Sequence, residues 1–255
     1  MDEIVELAEF EIVKFLARGA FGNVSLIKHR QTDQLVALKK VKYDESYERE
    51  LAVAERLSGK TNPYVMKTLF SFHNDSKTTG YLGFEYISGG DLKTGVCTKY
   101  SRKENIQLAI NLCKGLEFLH ANRIIHGDIK LENILCSNVE TVKLTDFGLS
   151  RVLNNDEECV RGMFGTPMYV SWETVMDRLV CFSSDVWSLG VVIFRIDQMT
   201  RPFDGKTKDE IFREIRSLTY TKPRGKPFLD YSRVFCHPKQ RMSLSEMRSA
   251  LESQL

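Results

Sequence analysis

The stretch IIHGDIKLENIL, residues 124–135, brackets a polar patch with apolar residues on both sides. Within it, His126, Asp128, Lys130 and Asn133 are spaced closely enough to act at one site. An aspartate can accept a proton from a hydroxyl, a lysine can stabilise developing negative charge, and an asparagine amide offers an oxygen ligand. The fragment alone is also compatible with a solvated turn rich in Asp and Asn.

A second acid follows in LTDFG, residues 144–148, where Asp146 precedes Phe147 and Gly148. Two separated carboxylates and the Asn133 amide supply the hard oxygen ligands that Mg²⁺ prefers, and Mg²⁺ bridges nucleotide phosphates. The joint order and spacing of the two stretches disfavour the solvated-turn interpretation and predict a phosphoryl-transfer site.

The glycines of RGAFGNV, residues 18–24, lie between two β-rich runs. They are compatible either with a loop whose backbone N–H groups approach phosphates or with a hairpin that needs glycine for conformational reasons. A Rossmann fingerprint is disfavoured because a strand, and no helix, follows the glycines.

The strand around Val36-Ala37-Leu38-Lys39 favours the phosphate interpretation. Strand alternation puts Ala37 and Lys39 on one face, so a small side chain that leaves room for a flat base lies beside an ammonium group. Glu50, on the following predicted helix, could hold Lys39 as an ion pair, whereas an unpaired lysine on an edge strand would be solvated.

Composition is that of a globular protein of one or two domains, with 36 basic and 34 acidic residues and a net charge of +2. This balance gives no reason to expect a nucleic-acid partner. No leader is recognised and the apolar runs are too short to span a bilayer, so no membrane partner is expected. The scattered cysteines predict reduced structural thiols and an intracellular location, cytoplasmic or nuclear.

Element patterning predicts an α+β fold. Strands are expected at 11–17, 23–29, 35–41, 68–72 and 80–87, and one helix at 47–57. Helical spacing dominates from Ser101 onward, where Ser101 and Glu104 form a predicted capping box, with further helices at about 183–199, 206–217 and 243–253. The sequence thus predicts one domain over residues 1–255, with a small β-rich lobe (about 1–87) and a larger, mainly helical lobe (about 91–255).

Together these motifs resemble the eukaryotic-type protein kinases, over about residues 10–251 and with a loose likeness to the calmodulin-dependent and checkpoint kinases. The resemblance implies a bilobal protein kinase fold, ATP and Mg²⁺ as cofactors, and Asp128, Lys130 and Asn133 as catalytic residues. Lys130 and Thr166 together favour serine/threonine protein substrates over tyrosine, and a monomer is expected.

The resemblance also assigns binding roles and two structural contacts. Asp185 is expected to brace the catalytic loop, which carries Asp128, Lys130 and Asn133, and Arg241 is expected to pair with Glu173. The residues expected to bind nucleotide are Leu16, Gly19, Gly22, Val24, Ala37, Lys39, Glu50, Glu85, Ile87, Asp91 and Leu135, and those expected to hold Mg²⁺ are Asn133 and Asp146.

Several positions depart from the family pattern. Ala17 replaces the first loop glycine, Ser171-Trp172 replaces Ala-Pro, and Arg195 stands where kinases that prefer basic substrates often carry an acid. Glu132 and Asp91 could still recruit basic side chains. The interval between Lys39 and Glu50 is short, which predicts a short helix.

Gly127 stands where the family usually has arginine, a residue that commonly pairs with a phosphorylated activation loop. In this chain the activation loop corresponds to residues 152–165, VLNNDEECVRGMFG, which contain no Ser, Thr or Tyr. These two absences predict a kinase whose activity does not depend on activation-loop phosphorylation. The acids at 156–158 could supply fixed charge against Arg151 or Arg161, or could simply form a solvated turn.

Two other functions remain open. A pseudokinase scaffold or allosteric partner would bind nucleotide without phosphoryl transfer, although Lys39, Asp128, Asn133 and Asp146 are all present. A small-molecule phosphotransferase can share the aspartate–asparagine loop, but GTPMYVSWE (165–173) and DVWSLG (185–190) favour a protein-substrate platform.

Overall fold

The computed structural model describes residues 7–19, 22–94 and 100–255. Its N-terminal part is a five-stranded antiparallel sheet in the order β1-β2-β3-β5-β4, with one helix after β3. The elements of this part are β1 (Phe10–Gly19), β2 (Gly22–His29), β3 (Leu35–Lys42), α1 (Glu45–Arg56), β4 (Thr68–His73) and β5 (Thr79–Glu85). The strand pattern expected from the sequence is therefore confirmed.

Helix α1 begins earlier than its apolar periodicity predicts, because Asp44 caps it. The Asp44 carboxylate accepts hydrogen bonds from the backbone N–H groups of Ser46 (2.9 Å) and Tyr47 (3.4 Å), which satisfies donors left open at a helix start. The resulting helix is three turns long and buries Glu50 on its inner face.

The C-terminal part is mainly helical. Its helices are α2 (Arg102–Ala121), α3 (Trp172–Asp177), α4 (Phe182–Gln198), α5 (Lys208–Arg216) and α6 (Leu244–Glu252). Three short antiparallel strand pairs connect them: β6 (Ile124–Ile125) with β9 (Arg151–Val152), β7 (Ile134–Cys136) with β8 (Val142–Leu144), and β10 (Cys159–Arg161) with β11 (Leu179–Cys181). The α+β, two-lobed architecture is confirmed.

Helix α4 lies at the centre of the larger lobe. Its residues 191–194 are fully buried, and an apolar helix without a polar face requires neighbours on all sides. Helix α2 packs against α4 and α6 and begins at the predicted capping box, in which Ser101 and Glu104 bond each other's backbone N–H groups. This core is the base on which the polar loop after β6 is mounted. Across the described ranges, no helix combines the length and apolar character needed to cross a bilayer.

One expectation about the cysteines is wrong. Cys159 of β10 and Cys181 of β11 are paired across the two strands and form a disulfide, whereas reduced thiols were expected. Cys113, Cys136 and Cys236 are free, and Cys97 lies outside the described residues. The pair was not foreseen because 22 positions separate the two residues in sequence and only strand pairing brings them together.

Candidate active site

The Asp128 carboxylate is 5% exposed and contacts three other residues of the site. Its Oδ1 accepts hydrogen bonds from the backbone N–H (3.0 Å) and the hydroxyl (2.8 Å) of Thr166. Its Oδ2 lies 2.5 Å from Lys130 Nζ and 3.1 Å from Asn133 Nδ2. The carboxylate therefore has a fixed orientation and lies beside a positive charge.

Asp185, near the start of α4, stabilises the loop that carries Asp128. The Asp185 carboxylate is 1% exposed and accepts hydrogen bonds from the backbone N–H groups of His126 (2.8 Å) and Gly127 (2.9 Å). His120 Nε2 lies 3.0 Å from the same carboxylate. Asp185 thus contacts the loop as expected, and the contact with His120 is one that the sequence did not indicate.

A second cluster forms where the two lobes meet. Lys39 Nζ of β3 lies 2.6 Å from Glu50 Oε1 of α1 and 3.0 Å from Asp146 Oδ1. Arg49, the neighbour of Glu50, donates a 2.7 Å hydrogen bond to the backbone carbonyl of Gly148. Helix α1 is therefore linked to the segment that follows β8 in two ways: Glu50 through Lys39 to Asp146, and Arg49 directly to Gly148. The pairing of Lys39 with Glu50 occurs as predicted.

Charge pairing outweighs burial at Lys39 and Asp146, whereas at Glu50 burial is the larger effect and raises the pKa. Burial by itself would lower the pKa of Lys39, but the nearby carboxylates of Glu50 and Asp146 raise it above its ordinary value. Burial would raise the pKa of Asp146, yet the Lys39 charge and hydrogen bond hold it below the usual range. An ammonium group next to an ionised carboxylate is the result at neutral pH.

Backbone contacts connect the two clusters. The N–H of Thr145 donates to the carbonyl of Asn133 at 3.0 Å, and His126 Nε2 lies 3.1 Å from the Thr145 carbonyl. Asp146 follows directly, with φ of +65°, a left-handed backbone that turns the chain sharply. The backbone bond between Thr145 and Asn133 thus places Asp146, the next residue, beside the loop that carries Asn133 and Asp128.

The predicted glycine loop joins β1 and β2. Gly19 pairs with Gly22, and Val24 pairs with both Ala17 and Lys39, so the loop is continuous with the strand that carries the lysine. Gly22 has φ of +150°, and a Cβ there would lie 2.2 Å from the Lys40 carbonyl. Glycine is therefore required at this position for packing. The loop tip, residues 20–21, lies outside the described residues.

The remaining residues predicted to bind nucleotide lie in β1, β3 and β7 and at or just after the end of β5. Glu85 pairs with Lys143 at 2.8 Å, and Ile87 packs against the core of the larger lobe. Asp91 and Leu135 form an isolated β-bridge. Leu16 in β1 and Ala37 in β3 are half-buried.

The acidic residues at 156–158 do not contact the arginines considered from sequence. Glu158 pairs with Arg123 at 3.3 Å, while Arg151 donates two 2.9 Å hydrogen bonds to backbone carbonyls of Leu149 and Ser150. Within the described residues no acid pairs with Arg151 or Arg161. Of the two alternatives, the structure therefore favours an exposed acidic turn: the Glu157 carboxylate accepts a hydrogen bond from the Asn154 N–H, and Arg123 bonds the Asn154 carbonyl of the same turn.

Beyond the activation loop, a buried ion pair closes the segment. Arg241 donates to both carboxylate oxygens of Glu173, at 2.8 and 2.9 Å, as the sequence resemblance implied. Ser184 adds a 2.8 Å hydrogen bond to the same carboxylate. Trp172, in the place of the usual proline, packs against His237 with ring centroids 4.0 Å apart.

Three residues considered for substrate recognition have partners within the chain. Glu132 pairs with Lys93 at 2.8 Å, and the Arg195 guanidinium donates to the hydroxyl of Tyr169. Asp91 accepts hydrogen bonds from backbone N–H groups of the turn that follows it. A substrate side chain would have to compete with these internal contacts.

Comparison with known proteins agrees with this geometry. The family described as "Protein kinase domain" matches residues 10–246. Similar proteins include "Protein kinase C, eye isozyme" of Drosophila melanogaster (34% identical, over 87% of this chain and 33% of that protein) and "Serine/threonine-protein kinase Nek5" of Homo sapiens (28%, over 81% and 30%). "Mitogen-activated protein kinase kinase 1" of Arabidopsis thaliana is 29% identical, over 97% of this chain and 75% of its own length. The chain thus spans about a third of the length of the first two relatives. A match over nearly its whole length shows that the chain belongs to the protein kinase domain family.

Proposed function

We propose that this chain transfers the γ-phosphoryl group of ATP to serine or threonine hydroxyls of proteins. The observation that carries the proposal is the Asp128 carboxylate, oriented by Thr166 and Asn133 and lying 2.5 Å from Lys130 Nζ. A hydroxyl that approaches Asp128 would be oriented for attack and could release its proton to the carboxylate. Lys130 would stabilise negative charge on the phosphoryl group during transfer.

Lys39 is proposed to bind the phosphates of ATP. Its ammonium is anchored by Glu50, so little side-chain entropy remains to be lost when a phosphate binds. The glycine loop, with Leu16, Gly19, Gly22 and Val24, would cover the phosphates and base, and Ala37, Glu85, Ile87 and Leu135 would line the base site. Asp91 would contact the ribose.

Mg²⁺ fits the donor set at Asn133 and Asp146. The Asn133 amide nitrogen donates to Asp128 Oδ2 and to the Asp128 backbone carbonyl, which orients the amide and leaves its oxygen as the ligand atom. Asp146 contributes a carboxylate whose lowered pKa keeps it ionised. One carboxylate, one amide oxygen and the nucleotide phosphates form a typical Mg²⁺ environment, and the ion would neutralise phosphate charge.

Phosphoryl transfer is tested by incubating the purified protein with γ-labelled ATP, Mg²⁺ and a generic protein substrate. We expect labelled phosphoserine or phosphothreonine from the wild type and at least about a 100-fold lower rate from Asp128→Asn. Asp156→Asn, a change in an exposed acid of the activation loop, serves as the matched control and should retain the wild-type rate. A folded, nucleotide-binding wild type without transfer would favour a pseudokinase instead.

Activation-loop phosphorylation is proposed not to control this activity. Gly127 lacks the side chain that would pair with a phosphate, and residues 152–165 contain no hydroxyl to carry one. Enzyme treated with phosphatase should therefore be as active as untreated enzyme. A large fall in activity after treatment would contradict the proposal.

We also propose that the chain is one monomeric domain over residues 1–255, with lobes that meet between about 87 and 91. We propose that it acts on proteins in the cytoplasm or nucleus. Neither a nucleic acid nor a membrane is proposed as a partner. Disulfides persist mainly in oxidising compartments, so the Cys159–Cys181 pair does not support the intracellular location that was inferred from reduced thiols. Fractionation of source cells with an antibody against this chain would test the location.

A further inference from the structure

The ring of Phe164 occupies the space above Gly127. Gly127 has φ of +77°, and a Cβ placed there would lie 2.9 Å from Phe164 Cε2 and 2.9 Å from the Leu149 carbonyl. Real Cβ atoms do not approach neighbours so closely without displacement, and a positive φ disfavours side chains in any case. The glycine therefore does more than omit an arginine, because its lack of a side chain creates the seat for an aromatic ring.

Arg151 covers the ring. Its guanidinium carbon lies 4.5 Å from the centroid of Phe164, within the range of a cation–π contact. Two hydrogen bonds from the guanidinium to the carbonyls of Leu149 and Ser150 fix its position, and within the described residues Arg151 forms no ion pair. The cation beside the catalytic loop is thus used to hold an aromatic ring.

Phe164 also makes apolar contacts on the side that faces the interior of the larger lobe. Phe164 packs against the cluster formed by Ile125, Leu153 and Val180, which joins β6, the start of the activation loop and β11. The ring therefore belongs to the same apolar cluster as Ile125, which lies in the strand that leads into the loop carrying Asp128.

Only Gly165 separates this ring from the residue that contacts Asp128. A Cβ at Gly165 would lie 2.9 Å from the Gly127 carbonyl, so the two backbones are closely apposed. Thr166 then donates from both its N–H and its hydroxyl to Asp128 Oδ1. Displacement of Phe164 would move the chain at the point where it meets the carboxylate.

We propose that Phe164 is a positioning residue, whose ring between Gly127 and Arg151 holds Gly165 and Thr166 against Asp128 without any phosphate. The proposal rests on the phosphoryl-transfer function and specifies how the site is kept assembled. Its effect is exerted through Thr166, and the ring itself touches no reacting atom.

The test compares Phe164→Ala and Phe164→Leu with Met163→Ala, a change in the exposed neighbouring side chain (41% exposed). We expect Phe164→Ala to lower kcat/KM for a protein substrate by about 10- to 100-fold while KM for ATP changes less than about twofold. Phe164→Leu, which retains apolar volume, should recover part of the loss, and Met163→Ala should match the wild type.

Hydrogen exchange gives a readout independent of activity. The Thr166 amide, bonded to Asp128, should exchange faster in Phe164→Ala than in the wild type or Met163→Ala. Unchanged exchange and unchanged kcat/KM in Phe164→Ala would overturn the proposal, as would a parallel loss of ATP binding and thermal stability, which would indicate a purely structural role. A wild type without phosphoryl transfer, but with faster Thr166 exchange in Phe164→Ala, would refute the proposed function and leave the positioning contact intact.

Discussion

Thr166 donates two hydrogen bonds to one oxygen of Asp128, from its backbone N–H at 3.0 Å and from its hydroxyl at 2.8 Å. The hydroxyl also accepts a 3.0 Å hydrogen bond from Lys130 Nζ, so one side chain joins the two residues proposed to act on the substrate. We expect Thr166→Val to lower kcat by roughly 10- to 100-fold, because it removes a hydrogen bond to a charged group and such a bond stabilises by an amount that corresponds to this change in rate.

Thr166→Ser retains the hydroxyl and should keep most of the rate in the same steady-state assay. Equal rates for Thr166→Val and the wild type would mean that the backbone N–H alone is sufficient to orient Asp128.

Glu50 anchors Lys39 from a nearly fully buried position. Because Glu50→Gln removes the nearer of the two carboxylates that pair with Lys39, we expect kcat/KM for ATP to fall by roughly 10- to 100-fold. Steady-state kinetics with varied ATP would measure the loss. Glu48→Gln alters an exposed carboxylate on the same helix and should leave the kinetics unchanged. If both substitutions were equally harmless, the ion pair would not contribute to nucleotide use.

The buried pair between Arg241 and Glu173 should be costly to break. Arg241→Met leaves the Glu173 carboxylate buried without its cation, and we expect a loss of about 3–5 kcal/mol in the free energy of unfolding. Urea denaturation measures this. Arg248→Met removes partly exposed ion pairs with Glu117 and Glu252 and should cost less than about 1 kcal/mol. Similar losses for the two variants would contradict the argument from burial.

The same carboxylate should make stability depend on acid pH. Burial would raise the pKa of Glu173, but the hydrogen bond and charge of Arg241 hold it below the ordinary value of 4.5. A lowered folded-state pKa adds stability above the unfolded pKa, and that stability is lost as the pH falls through the folded pKa. The free energy of unfolding should therefore decline below about pH 4.5, and Glu173→Gln should flatten this decline. An unchanged acid slope would argue against the pairing.

The disulfide between Cys159 and Cys181 should stabilise the folded protein. It closes a loop of 22 residues, for which chain entropy predicts roughly 3 kcal/mol. A thiol reductant should lower the melting temperature of the wild type to that of Cys159→Ser and have no further effect on that variant. Cys236→Ser, at a free cysteine, should melt like the wild type and respond to reductant in the same way. Reductant-insensitive melting of the wild type would show that the bond does not form in solution.

Much of the site was predictable from the sequence because the chemistry requires particular residue types in a particular order. Asp128, Lys130 and Asn133 lie within one loop, so their proximity follows from chain connectivity alone. The β-rich and helical halves are visible in the hydrophobic periodicity, since burial on one face constrains a repeat of two or of 3.6 residues. The link from Lys39 to Glu50 could be anticipated because one strand leads directly into one helix.

Only the tertiary structure decided the contacts between residues distant in sequence, and the backbone angles that no local sequence pattern indicates. The sequence identified Gly127 as unusual, yet its positive φ and the ring of Phe164 above it appear only when the activation loop folds back on the catalytic loop. The Cys159–Cys181 bond likewise requires β10 to pair with β11. Packing and strand register decide such contacts, because they depend on the whole chain's arrangement and leave no local pattern.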